Sequence, residues 1–171
     1  MSRNGKEILL KWATVLAVVV WGVSAQAAVT VQLEVKSDES GLEITTRGTC
    51  ASNNHPGCIS NQHQGAQPIN FNLVGDRNCS AGGLWQLEYV ALGMAEKTVG
   101  NLTAVAASDF NADQASGRVT PAVTPNANHI QIRNSNTAAY NVWYTVYATC
   151  PNVMAPISSD PRIENDGSGI L

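Results

Sequence analysis

The sequence predicts an all-β protein, an antiparallel sandwich of about seven or eight short strands. Three observations carry that expectation. Val29-Thr-Val-Gln-Leu-Glu-Val-Lys36 alternates apolar and polar residues without a break. Tyr140 to Thr149 is a run of ten residues dominated by aromatic and β-branched side chains. Between the apolar runs lie clusters of Gly, Asn, Asp, Ser and Pro, which close strands rather than helices.

Taken in order, Val29, Val31, Leu33 and Val35 share one face of the first strand, because successive side chains on a strand point to opposite sides. Asp38-Glu-Ser-Gly41 turns the chain, and Leu42 to Thr46 alternates again, so the two runs read as a hairpin. Residues 49 to 68 read as loop. Ile69 to Val74 is a third strand, closed by Gly75-Asp-Arg-Asn78, and Leu84 to Leu92 a fourth, with Trp85, Leu87 and Tyr89 on one face. From 93 to 128 the pattern is ambiguous. Thr98 to Ala106 reads as a strand, or Ala104 to Ala107 as the start of a short helix. Pro121 and Pro125 confine Arg118 to Val123 to an edge or a loop. His129 to Arg133 and Tyr140 to Thr149 are strands, the latter stopped by Cys150-Pro151. Arg162 to Glu164 reads as a final edge strand before a frayed tail, 165–171. The expected fold is immunoglobulin-like, with a small β-barrel as the alternative.

Residues 1–27 read as a secretory signal. Arg3, Lys6 and Lys11 precede an apolar stretch from Trp12 to Val23, and Ala25-Gln26-Ala27 supplies a small-x-small cleavage site. The apolar stretch is shorter than the roughly 20 residues that span a bilayer. Cleavage after Ala27 leaves one domain, 28–171, of 144 of the 171 residues. Removing Arg3, Lys6, Lys11 and Glu7 leaves 7 basic against 12 acidic residues, and net charge moves from −3 to −5. An acidic chain with no basic run is unsuited to a phosphate backbone, which argues against nucleic-acid partners. The expected location is periplasmic or secreted.

Tyr144-Thr-Val-Tyr-Ala148 and Asp160-Pro-Arg-Ile-Glu-Asn165 together resemble the Tyr-Thr-Val and Asp-Pro-x-Ile-x-Asn pairing of small bacterial sandwich proteins of the DP-EP type. The resemblance covers about 25 residues. It implies a sandwich fold and no particular activity; Cys150 and Pro151 would be departures from that pattern.

Four groups of residues are candidates for chemistry. Cys50, His55, Cys58 and His63 fall in one loop and offer a thiolate–imidazole set for zinc or copper. In an exported chain, oxidation instead favours a Cys50–Cys58 disulfide, with Cys79–Cys150 as the second, although four cysteines allow three pairings. Asp109-Phe-Asn-Ala-Asp113 places oxygen ligands Asp109, Asn111 and Asp113 as in a calcium loop. Gln114 stands where the turn glycine belongs, however, and Thr120 where the closing carboxylate belongs. On the Tyr140 run, Tyr140 and Tyr144 face one way, Trp143 and Tyr147 the other, so one aromatic set is available to a glycan or peptide.

Signatures of catalysis are missing from the sequence: it has no Gly-x-Ser-x-Gly, no phosphate-cradling glycine loop and no His-Glu-x-x-His. The expectation is a non-catalytic exported protein with an envelope-structural or cell-surface binding role and no cofactor beyond a candidate Ca²⁺. Its partners would be an envelope protein or a glycan. The alternative is a self-associating surface subunit that donates Val29–Val35 to a neighbouring sheet edge.

Overall fold

A computed structural model describes residues 27–50, 55–62, 65–124, 126–151, 153–156 and 161–170. Apart from Ala27, the signal-like segment lies outside them, as does His63. The chain forms two sheets packed face to face. One holds β1 (Val29–Val35), β2 (Leu42–Ile44), β4 (Ile69–Leu73) and β6 (His129–Ile132), in the order β2-β1-β4-β6. The other holds β3 (Ile59–Ser60), β5 (Gln86–Gly93), β7 (Ala139–Cys150), β8 (Val153–Pro156) and β9 (Arg162–Asp166). Its order is β3-β9-β7-β5, with β8 continuing the β9 side along the far end of β7. The two ladders are separate, so the architecture is a sandwich and not a closed barrel.

The alternating residues do what their spacing predicts. Val31, Leu33, Phe71, Leu73 and Ile130 from one sheet meet Ile59, Val90, Leu92, Val142, Tyr144, Val146 and Ile163 from the other in one apolar core. Phe71 meets Tyr144 edge to face across the layers, ring centroids 5.2 Å apart. The β1–β2 hairpin forms, with Leu33 opposite Ile44.

Both sheets are mixed rather than wholly antiparallel. After β2 the chain crosses to the second sheet, contributes β3, and returns as β4, which therefore runs parallel to β1 from Val29↔Ile69 to Leu33↔Leu73. A long crossing of this kind is what a parallel pair requires. β3 is likewise parallel to β9. Consequently β9 lies between β3 and β7, not at the edge. The tail expected to fray holds Asn165 and Asp166 in β9 and a 3₁₀ turn at Ser168–Ile170.

Two other local features differ from the sequence pattern. A bulge in β5 shifts the register between Leu87, opposite Ala148, and Tyr89, opposite Tyr147. The inserted Glu88 reverses the alternation. Trp85 and Leu87 are buried, then Val90 and Leu92, while Tyr89 turns outward. In the ambiguous region the helix prevails as α1 (Ala104–Phe110), capped by Thr103, whose hydroxyl accepts from Ala106 N–H, and ended by left-handed Asn111. Leu102, Ala106 and Phe110, four residues apart, face the core. Residues 118–123 make only isolated bridges, at Ala91–Arg118 and Ala112–Val119.

Candidate functional site

The cysteines pair as the redox argument anticipates, Cys50 with Cys58 and Cys79 with Cys150, at Cα separations of 5.6 and 6.3 Å. Both separations fall within the reach of an ordinary disulfide. The sulfurs of Cys50 and Cys58 are therefore spent in a bond rather than held as thiolates. Buried Glu164 lies beside them, its ligand oxygen and both sulfurs within 4.8 Å of one another, and pairs with Arg162 at 2.6 Å. His55 is exposed on the same loop.

The Asp109, Asn111 and Asp113 set is distributed over two local structures. Asp109 ends α1 and is buried; its carboxylate accepts from Thr137 N–H at 2.9 Å, Thr137 Oγ1 at 2.6 Å and Tyr140 Oη at 2.6 Å. Asn111 is the helix cap. Asp113 is exposed and accepts from the Ser116 N–H and hydroxyl, which holds its carboxyl below the ordinary value. Asp109 thus joins the helix to the start of β7.

The four aromatics of β7 divide by strand parity. Tyr140 and Tyr144 face inward. Tyr144 is buried and donates to the Gly57 carbonyl at 2.7 Å, and burial pushes its phenol well above the ordinary range. Tyr140 is shifted the same way by burial and by the Asp109 carboxylate. Trp143 and Tyr147 lie on the outer face, half-buried, and the β5 bulge adds Tyr89 to them. Tyr89 and Tyr147 stack with centroids 4.5 Å apart and planes 21° from parallel. Arg118 Cζ sits 3.9 Å from the Tyr89 centroid. Groups this close cannot share one ring face, so Tyr89 is sandwiched between tyrosine and guanidinium. Trp143 is different. Its ladder neighbours are Gly93 on the β5 side and Arg162 on the β9 side, and it is part-buried. The outcome is a strip of part-buried rings with tyrosine hydroxyls and an exposed guanidinium stacked beside them.

A second cluster had no counterpart in the sequence reading. Asn61, Asn134, Asn136 and Asn165 are buried at one end of the sandwich. Asn134 and Asn165 exchange side-chain amide bonds, both 2.9 Å. Asn136, in left-handed backbone at φ 49°, accepts through Oδ1 from the Asp166 and Gly167 N–H groups at 3.0 Å. Its Nδ2 faces the Asn61 carbonyl, Asp166 Oδ1 and Ser168 Oγ, each at 3.0 Å. This amide cluster ties the β6–β7 connection to β9 and the chain end. Most of its groups are turned toward one another; the buried Asn61 Oδ1 has no partner among the described residues.

These features define a two-disulfide, all-β sandwich with an aromatic outer sheet face. Two disulfides fit an oxidising compartment. No helix among the described residues is long and apolar enough to cross a membrane. No family model matches the chain, and no curated protein does.

Proposed function

We propose that the protein is an exported, non-catalytic binding domain of the cell envelope or surface, and that the outer face of the β5–β7 sheet is its working surface. The observation that carries this reading is the residue content of that face. A solvent-facing sheet surface is ordinarily charged and small-polar; this one presents Trp143, Tyr89, Tyr147 and Arg118. Trp, Tyr and Arg are the residue types that dominate binding energy at interfaces, because each offers large contact area with a polar handle. Trp143 is the anchor, and the Arg118–Tyr89–Tyr147 stack holds hydrogen-bonding groups beside it at little further entropic cost.

The export part of the reading draws on the signal-like segment 1–27 and is supported by the two disulfides. We read the sandwich as immunoglobulin-like, supported by the chain's repeated crossing between sheets of four and five strands. The strand-donating alternative asks more of the molecule. β1 lies between β2 and β4, with Leu33 fully buried, so donation would break two ladders and rehouse a core residue.

The test is binding of the purified domain to a glycan array and to isolated envelope fractions, wild type against Trp143→Ala and Tyr147→Ala. The expected result is saturable binding that Trp143→Ala lowers at least tenfold in protein that circular dichroism shows to be folded. Equal binding by the variants, or no binding to either surface, would contradict the reading.

A further inference from the structure

Gln67 is 9% exposed, and its Oε1 is buried without a hydrogen-bond partner among the described residues. Its Nε2 donates to the Ala27 carbonyl at 2.6 Å. This contact continues the parallel β1–β4 register, in which Val29 lies opposite Ile69. Gln67 is fixed from its own side by its N–H, which donates to the Asn134 carbonyl at 2.9 Å, and next to it Val29 N–H donates to the Pro68 carbonyl. A buried acceptor with no donor carries its full desolvation cost. An amide that is half satisfied in this way needs an explanation.

Ala27 is also the last residue of the Ala25-Gln26-Ala27 cleavage site. We propose that Gln67 is a built receptor for the α-ammonium group of a chain cleaved after Ala27. Cleavage hydrolyses the Ala27–Ala28 peptide bond with one water. The leader leaves as a carboxylate, and Ala28 keeps its nitrogen as an ammonium. The Ala28 nitrogen lies about 2.3 Å from the Ala27 oxygen by standard peptide dimensions. The new group therefore stands where the Gln67 carboxamide already points. Loss of the Ala27 oxygen removes the acceptor for Nε2. A half-turn about the last side-chain bond then brings Oε1 to three new donors. Nε2 takes the buried position that Oε1 holds now, near a cavity of about 260 Å³ lined by Gln67, Arg133, Asn134 and Ser135. Among the described residues lining that cavity Arg133 is the one with a charged side chain, and it is exposed. The turn therefore replaces a neutral bond to the Ala27 carbonyl by a charge-assisted one to the ammonium, which ties the mature end beside β4.

This inference rests on the export reading, and two measurements separate their failures. Mass spectrometry of protein recovered after export should find Ala28 as the first residue; another first residue overturns processing at this site and with it the receptor's role. On the chain beginning at Ala28, the α-amino pKa is read by NMR for the wild type, Gln67→Met, which preserves volume, and Gln67→Glu. An acceptor on the ammonium raises its pKa. The expected order is Glu above Gln above Met, with about half a unit or more at each step. Equal values in all three chains would overturn the receptor whatever the first residue proves to be.

Discussion

The two faces of β7 are built from alternate residues of one strand and have opposite uses. Val142, Tyr144, Val146 and Ala148 point inward and are at most 1% exposed. Trp143, Thr145 and Tyr147 point outward and are half-buried. Both faces carry aromatic rings, so hydrophobicity alone does not distinguish them. The distinction lies in what each ring meets. Tyr144 has Phe71 against its ring and the Gly57 carbonyl on its hydroxyl, a complete set of partners. Trp143 lies between Gly93 and Arg162 and keeps only part of its surface exposed. The inner face spends its side chains on stability, and the outer face leaves contact area uncommitted.

Substitution should separate the faces most sharply at Tyr144 and Tyr147. Tyr144→Ala removes a fully buried ring and its hydrogen bond and should cost about 4 kcal/mol by denaturant unfolding. Tyr147→Ala loses one stacked, partly solvated contact and should cost about 1 kcal/mol. Similar losses at the two positions would erase the comparison.

The amide cluster extends the inner, stability-bearing region to polar chemistry. Asn136→Ala orphans the Asp166 and Gly167 N–H groups together and places a side chain without Asn's tolerance at φ 49°. The expected loss is about 3 kcal/mol in chemical denaturation. Binding by the outer face should be unchanged in the folded fraction.

A smaller effect is an alkaline loss of stability carried by the inner tyrosines, although burial also raises the outer Tyr147. Burial raises the phenol of Tyr144, and burial with the Asp109 carboxylate raises that of Tyr140. In the unfolded chain both ionise near pH 10. Above that pH the unfolded state has lost protons that the native state keeps, so stability is full below about pH 10 and falls as pH rises. Phenolate absorbance should therefore show Tyr140 and Tyr144 ionising only as circular dichroism reports unfolding. Tyr144→Phe should remove its share of the alkaline loss.

Much of this division was legible in the sequence. The alternation from Tyr140 to Thr149 already separated Trp143 and Tyr147 from Tyr144, and the signal-like segment argued for the disulfides that form. What the sequence concealed depends on distant partners. Asparagine reads as a loop former because its amide competes with backbone bonds. Yet Asn61 bonds Asn165, 104 residues away, and is buried. The β5 bulge adds one residue to a pattern of period two, so Tyr89 changes face without any turn residue to mark it. β8 follows Cys150-Pro151, which reads as a stop, and β9 is interior only because β3, two residues long, pairs on its other side.

The most direct test of the account is a binding comparison across β7. Trp143→Ala and a mild inner-face change, Val146→Ala, would be measured side by side against the glycan or envelope fraction that the wild type binds. Trp143→Ala should reduce affinity at least tenfold while costing only about 1–2 kcal/mol of stability, as expected for a part-buried ring. Val146→Ala should lower the melting temperature and leave affinity intact. Loss of affinity in proportion to stability, whichever face is altered, would contradict the assignment of the outer face as the working surface.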